Sequence, residues 1–312
     1  MKKQIQQSSR AKAYIALFIT SIVWGTTWVA SKMAVAELPA LQMAGIRQFI
    51  AGVLLVGFFI LHKKLSLPTA KEFRWLLVMA LLMFVFANGL STWGVKFIPA
   101  GMASLIGTLY PLSVVIIEAV FYRQRNFSVL TIIGMFLGIT GVGIVFYENA
   151  FHHSGSNYVW GLILSVLAML SWSFGTVFMT RNKRPMNPYY ATGWQMLLSS
   201  VILYLVAAFT SPTQALTAIS FKAWGLILYL VVFGSILTFV AFIYSMKKLP
   251  VALASLYAYI NPLVAMLVGA LLLDEKLTLY IFWGAVVTLS GVFLVNYSIR
   301  RSRAKLIAEP EL

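Results

Sequence analysis

Residues 98–112 read IPAGMASLIGTLYPL, and residues 249–263 read LPVALASLYAYINPL. At an offset of 151, Pro99 meets Pro250, Ala103-Ser104-Leu105 meets Ala254-Ser255-Leu256, and Pro111-Leu112 meets Pro262-Leu263. The match runs on in both directions. With one deletion Gly134 pairs with Gly284, Gly141 with Gly291 and Tyr147 with Tyr297. Upstream, Trp24 pairs with Trp172, Gly45 with Gly193 and Trp75 with Trp224. The chain therefore reads as two copies of one unit.

What that unit is follows from composition. Of 312 residues, 61% are apolar and 10% charged, and the mean hydropathy is +0.88. A soluble domain carries about 45–50% apolar and ~25% charged residues, so the charge here is too sparse to coat a water-facing surface. No cysteine is present, which excludes a disulfide scaffold and thiolate metal sites. A helix needs ~20 mostly apolar residues to cross the hydrocarbon core. Ten such stretches fall near 13–35, 41–61, 74–96, 99–122, 128–147, 158–180, 189–209, 221–246, 251–273 and 279–298. Each copy holds five. The expected fold is an all-α integral membrane protein.

The net charge of +16 suggests nucleic acid only until its distribution is read. Lys and Arg cluster in alternate gaps between spans, as in Lys63-Lys64, Arg123 with Arg125, Lys247-Lys248 and Arg300-Arg301. With the N-terminus inside, 19 of the 24 fall on the inner side, four on the outer side, and Arg47 within a span. The positive-inside rule then places both termini in the cytoplasm. Lys2-Lys3 followed by an apolar run and Ala34-Val35-Ala36 imitates a secretory signal, but the run is too long for an h-region, so the expectation is a retained helix.

Five is odd, so the second copy should enter the membrane upside down. Loop charges agree. The loop after the first helix carries no Lys or Arg, whereas its counterpart carries Arg181, Lys183 and Arg184. Inverted repeats are a transporter architecture, with the substrate handled near the midplane where the halves meet. The expected layout is a cytoplasmic tail 1–12, a first repeat 13–148, an external linker 149–157, a second repeat 158–298 and a cytoplasmic tail 299–312.

Trp24-Gly25-Thr26, Arg47, the segments Pro99 to Pro111 and Pro250 to Pro262, and the ending Leu273-Asp274-Glu275-Lys276-Leu277 with Gly284 and Ser290-Gly291 resemble the EamA family of the drug/metabolite transporter superfamily. The resemblance covers about residues 13–298 and marks fold better than substrate. It implies that helices 1, 3, 4, 6, 8 and 9 surround a central cavity, with 5 and 10 set apart, and that the cargo is an amino acid or related metabolite moved outward. One departure is Gln124, where the family pattern has an acidic residue after the fourth helix.

Several side chains are candidates for the work. Pro111 and Pro262 inside helices 4 and 9 would free the carbonyls of Gly107 and Ala258 and serve as hinges. Arg47 is an intramembrane charge, a functional-site hypothesis by default, with snorkelling or structural support as the alternative. Glu118 is the only acid within a span, a candidate for proton coupling or for an interfacial contact. Trp24, Asn88, Tyr110, Trp172, Tyr257, Tyr259 and Asn261 lie nearest mid-membrane and are, with Arg47, the candidate substrate-binding set. Lipid-facing or packed aromatics are the plainer reading of the rings, and packing that of Gly134 and Gly138.

Enzyme motifs are absent: there is no HExxH, Walker A or GxGxxG, Asp274 is the only Asp, and the three His fall outside the expected spans. No catalytic residue, metal or cofactor is expected. The expected partners are a small-molecule substrate and the lipid bilayer, not nucleic acid, with the chain a monomer or homodimer in the cytoplasmic membrane. The expected function is a secondary transporter of a small neutral or zwitterionic metabolite. The alternatives are a proton-coupled drug pump, a passive channel or an intramembrane enzyme.

Overall fold

The structure is a computed structural model that describes residues 2–123, 127–152, 157–182, 185–249 and 256–308. Gln124, Arg125, Lys183, Arg184 and the stretch Pro250–Ser255 lie outside the described residues. Ten helical elements follow one another: α1 (Lys2–Glu37), α2 (Ala40–Lys63), α3 (Ala70–Gly94), α4 (Ala100–Phe121), α5 (Val129–His152), α6 (Tyr158–Arg181), α7 (Pro188–Thr210), α8 (Phe221–Lys248), α9 (Tyr257–Leu273) and α10 (Leu279–Ala308). Nine are long and apolar enough to span a bilayer, and α9 is a shorter apolar helix among the described residues. The polarity is that of a membrane protein. Phe136, Phe209 and Leu271 are 72%, 90% and 79% exposed on the outer face, while Thr20, Ser21, Gln42 and Arg47 are buried inside.

Helix limits follow local chemistry. Thr69 caps α3 in a box with Glu72, Asn187 caps α7 just ahead of Pro188, and the Ser220 hydroxyl caps α8. Lys64 and Asp274 close α2 and α9 in the left-handed region. The helices also overrun the expected spans. α1 begins at Lys2, α5 continues to His152 inside the stretch read as a linker, and α10 continues to Ala308. Each extension lacks Gly and Pro, and those of α1 and α10 are rich in Lys, Arg, Gln or Ala, so nothing stops the helix at the bilayer surface.

The helices pair across the chain midpoint. α2 lies on α7 and α5 on α10, while α1 meets α9 and α8 just as α6 meets α4 and α3. Small residues permit the first two contacts. A Cβ on Gly134 would lie 2.7 Å from the Gly291 carbonyl, and one on Gly141 would lie 2.6 Å from that of Gly284. The order reverses along the two helices, so α5 and α10 run antiparallel. Likewise Gly45 faces Ser200 and Gly52 faces Gly193 across α2 and α7. Without water to drive apolar faces together, such close backbone approach supplies the packing. The end loops are tied in matching fashion. Gln42 on α2 grips the backbone of Gln214 before α8, and Tyr190 on α7 donates to the Ser66 carbonyl before α3.

Two features differ from a row of plain helices. α4 is broken: Ala100–Gly107 ends in a turn at Thr108-Leu109, and Tyr110–Phe121 starts afresh with Pro111 in its first turn. Pro111 is thus not a mid-helix kink. It occupies a position where no N–H is required. Pro262, by contrast, stays inside continuous α9. The second feature is unforeseen: α3 and α8 each switch to π-helix, over Ala80–Gly89 and Leu230–Leu237.

Candidate functional site

The six helices α1, α3, α4, α6, α8 and α9 line a cavity of about 180 Å³, with Arg47 the one contribution from α2. α5 and α10 stand outside it, paired with each other. At mid-bundle the floor is aromatic. The Trp24 ring lies 6.5 Å from that of Trp172 in a T-shaped contact and 5.1–5.4 Å from Phe239, Phe242 and Tyr257. The Tyr110 and Tyr257 side chains face each other beside it. The remaining wall, toward the bundle end that carries the α1–α2 corner, is lined by Ser31, Asn88, Thr92, Ser104 and Ser165 with Trp28.

The π segments explain how polar groups reach this place. Threading an extra residue into a turn displaces the backbone hydrogen bonds and re-aims side chains, and π turns concentrate at functional sites. In α8, the Gly234 carbonyl accepts from Trp24 Nε1 at 3.2 Å, and the neighbouring Ser235 Oγ accepts from Arg47 Nε at 2.8 Å. In α3, the Leu82 carbonyl accepts from the Ser171 hydroxyl at 2.8 Å, and Asn88 Oδ1 accepts from Gln48 Nε2 at 2.9 Å. α1 thus donates into the π turn of α8 as α6 donates into that of α3.

The residues expected from sequence separate into two groups. Trp24, Arg47, Asn88, Tyr110, Trp172, Tyr257 and Asn261 all line the cavity. Gly107 and Ala258, whose carbonyls Pro111 and Pro262 leave without a helical donor, line it too. Asn261 does double duty. With its amide nitrogen turned inward it donates to the carbonyls of Ser21 at 2.6 Å and Tyr257 at 3.2 Å, tying α9 to α1. Tyr259 belongs elsewhere: its hydroxyl accepts from Asn296 Nδ2 and donates to the Val292 carbonyl, so it anchors α9 to α10. One helical turn holds Tyr257, Tyr259 and Asn261, and residues two apart point to different faces.

Glu118 is also outside the cavity. It lies 3.9 Å from Arg181, whose guanidinium sits 3.7 Å over the Tyr122 ring at the far end of α4 and α6. The sequence reading missed Ser104, Ser165 and Gln48. Ser104 carried a signal, since it belongs to the Ala-Ser-Leu triplet shared by both copies. It also missed Glu275, which reaches back to α4: its carboxylate accepts from Ala100 N at 2.7 Å, capping a helix start as favours an anion. Lys32 stands beside it, donating to the carbonyls of Val95 and Ile98. Among the described residues no cluster of His, Asp or Glu has the geometry of a metal site.

Comparison with known proteins adds the relationship. The model of the EamA-like transporter family matches residues 11–147 and again 159–297. The chain is 31% identical over 300 residues to a protein of Escherichia coli (strain K12) named an uncharacterized inner membrane transporter, YedA, covering 95% of this chain and 94% of that one. It is 26% identical over 293 residues to YoaV of Bacillus subtilis (strain 168), named an uncharacterized transporter, covering 94% and 99% of the two chains. One solved crystal structure shares the fold at a TM-score of 0.65 and 16% identity, over 94% of this chain and 99% of that one.

Proposed function

Since the chain belongs to the EamA-like transporter family, we propose that it is a secondary carrier that exports a small neutral or zwitterionic metabolite, of the amino-acid class, by alternating access. The observation that carries this reading is the meeting of Trp24 and Trp172, equivalent positions of the two repeats, on the floor of one cavity. A site shared equally by two halves is one that their rocking can open to either side. The antiparallel run of α5 against α10 and of α2 against α7 supports reading residues 13–148 and 158–298 as inverted repeats. The loop charges support cytoplasmic termini in a cytoplasmic membrane.

The lining also bears on the cargo. Indole, phenol, amide and hydroxyl groups surround the space, and no Asp or Glu is among the lining residues. A lipophilic cation buried there would lack a counter-charge, at high cost. Glu118, the one acid that a proton-coupled drug pump would use, is beside Arg181 at the bundle's edge instead.

Counterflow in sealed vesicles tests the reading. Vesicles holding the purified chain and preloaded with unlabelled phenylalanine should accumulate the labelled amino acid saturably. Trp24→Ala and Trp172→Ala should abolish accumulation, and Glu118→Gln should retain most of it. Vesicles that carry quaternary ammonium dyes, ignore amino acids and lose activity with Glu118→Gln would overturn the proposal.

A further inference from the structure

A side-chain amide has a donating end and an accepting end, so the way it is turned decides what it can recognise. Two amides meet beside the cavity. Gln48 on α2 is fully buried and stands behind the lining, whereas Asn88, in the π segment of α3, belongs to it. Gln48 Nε2 donates to Asn88 Oδ1 at 2.9 Å, and Gln48 Oε1 is sealed off without a donor. Turning both amides over would preserve one hydrogen bond between them. It would also seal in the N–H donors of Gln48 instead of its carbonyl, and orphaned buried N–H groups are the rarer defect. The burial of Gln48 thus imposes the orientation of the pair.

The consequence falls on Asn88. With Oδ1 taken by Gln48, the end of the amide left to the cavity is Nδ2. It has no acceptor in the protein and, unlike the hydroxyl oxygens of Ser104 and Ser165, it is not closed off. Hydroxyls on the same wall, such as those of Ser31 and Thr92, give and accept alike and set no preference. Asn88 does set one. A cargo whose apolar body lies on the Trp24–Trp172 floor meets N–H donors at Asn88, which match an oxygen acceptor and oppose another donor.

Packing does not require an amide behind Asn88. In the repeat that pairs Trp24 with Trp172 and Gly45 with Gly193, Met196 occupies the position of Gln48, and both are 0% exposed. The same fold therefore closes around an apolar side chain at that position.

We propose that Gln48 is a positioning residue for specificity: it turns the Asn88 donors toward the cavity, so that the carrier selects cargo bearing a carbonyl-type oxygen. This rests on the carrier reading above and adds the hydrogen-bonding sign that the site reads. Gln48 itself does not touch the cargo.

Two neutral bicyclic probes of similar size isolate that sign. The carbonyl of 1-indanone accepts and the molecule has no N–H or O–H, whereas indole donates through its N–H and has no oxygen. Isothermal titration calorimetry of the purified full-length chain in detergent measures both, with phenylalanine as a third ligand and uptake by empty micelles subtracted. The parent should favour 1-indanone over indole by at least about tenfold, because two opposed donors leave both unsatisfied. Gln48→Met, which gives the first copy the residue of the second, should bring the two probes within about threefold of each other. On an Asn88→Ala background the same change should alter neither affinity, because Gln48 acts through Asn88. The readout is a ratio of affinities, which a reduced folded fraction does not imitate. A parent that binds indole as well as 1-indanone, or a Gln48→Met variant that keeps the parental ratio, overturns this proposal, while binding of phenylalanine leaves the carrier reading standing. Failure of all three ligands to bind the folded chain overturns both.

Discussion

Adding one methyl group to Gly141 should loosen the α5–α10 pair, whereas the same change two residues away at Gly143 should leave that pair intact. A Cβ at position 141 would stand 2.6 Å from the Gly284 carbonyl and closer still to the Thr288 backbone nitrogen, whereas nothing lies within 4 Å of one at 143. Carbon and carbonyl oxygen rest at about 3.3–3.6 Å, so α10 has to retreat by about 0.7 Å or more. A gap of that size forfeits a quarter to a half of each dispersion contact across it, and overpacking of this kind costs about 1–3 kcal/mol. Against that stands a gain of up to ~1 kcal/mol in helix propensity, which both variants share. Gly141→Ala should therefore lie about 1–3 kcal/mol below Gly143→Ala. Titration of mixed micelles with SDS, followed by far-UV circular dichroism, measures the difference. If the two variants unfold within about 0.5 kcal/mol of each other, glycine contact is not what holds α5 to α10.

Trp24→Phe keeps the ring but removes the donor to Gly234. It should cost about 1–3 kcal/mol in the same titration, since it leaves a π-turn carbonyl buried and unmet. An unchanged midpoint would remove that hydrogen bond from the account. Glu275→Gln replaces the anion at the start of α4 by a neutral acceptor and should destabilise by about 0.3–1 kcal/mol, more at low than at high salt; salt-independent loss would mean that packing, not charge, is at stake. Pro111→Ala gives residue 111 an N–H that can pair with the Gly107 carbonyl and heal the break in α4. It should slow counterflow several-fold with undiminished folded yield, and transport at the parental rate would refute the hinge. Since the chain has no cysteine, Asn157→Cys can be labelled without background, and it should react from the outer side; modification from the cytoplasmic side would sink the topology.

Ten apolar helices, a unit that occurs twice and a polar interior were readable from residue order alone, because each rests on local or periodic chemistry. Apolar length marks a span wherever it folds, and Trp24 with Trp172 or Gly141 with Gly291 announce the repeat by recurring at nearly the same offset. Other features needed the tertiary structure, for one physical reason: they concern which partner a group meets. Nothing in Ala80–Gly89 or Leu230–Leu237 announces a π turn, since its existence depends on Trp24, Arg47 and Ser171 arriving from other helices to take up displaced groups. Spacing alone could not show that Tyr257 faces the cavity and Tyr259 faces α10, nor that Pro111 opens a new helix while Pro262 stays within one. Ser104 and Ser165 look like any small residue of a packed span until their neighbours are known. What sets them apart is a bond they do not make, and a missing bond is written only in three dimensions.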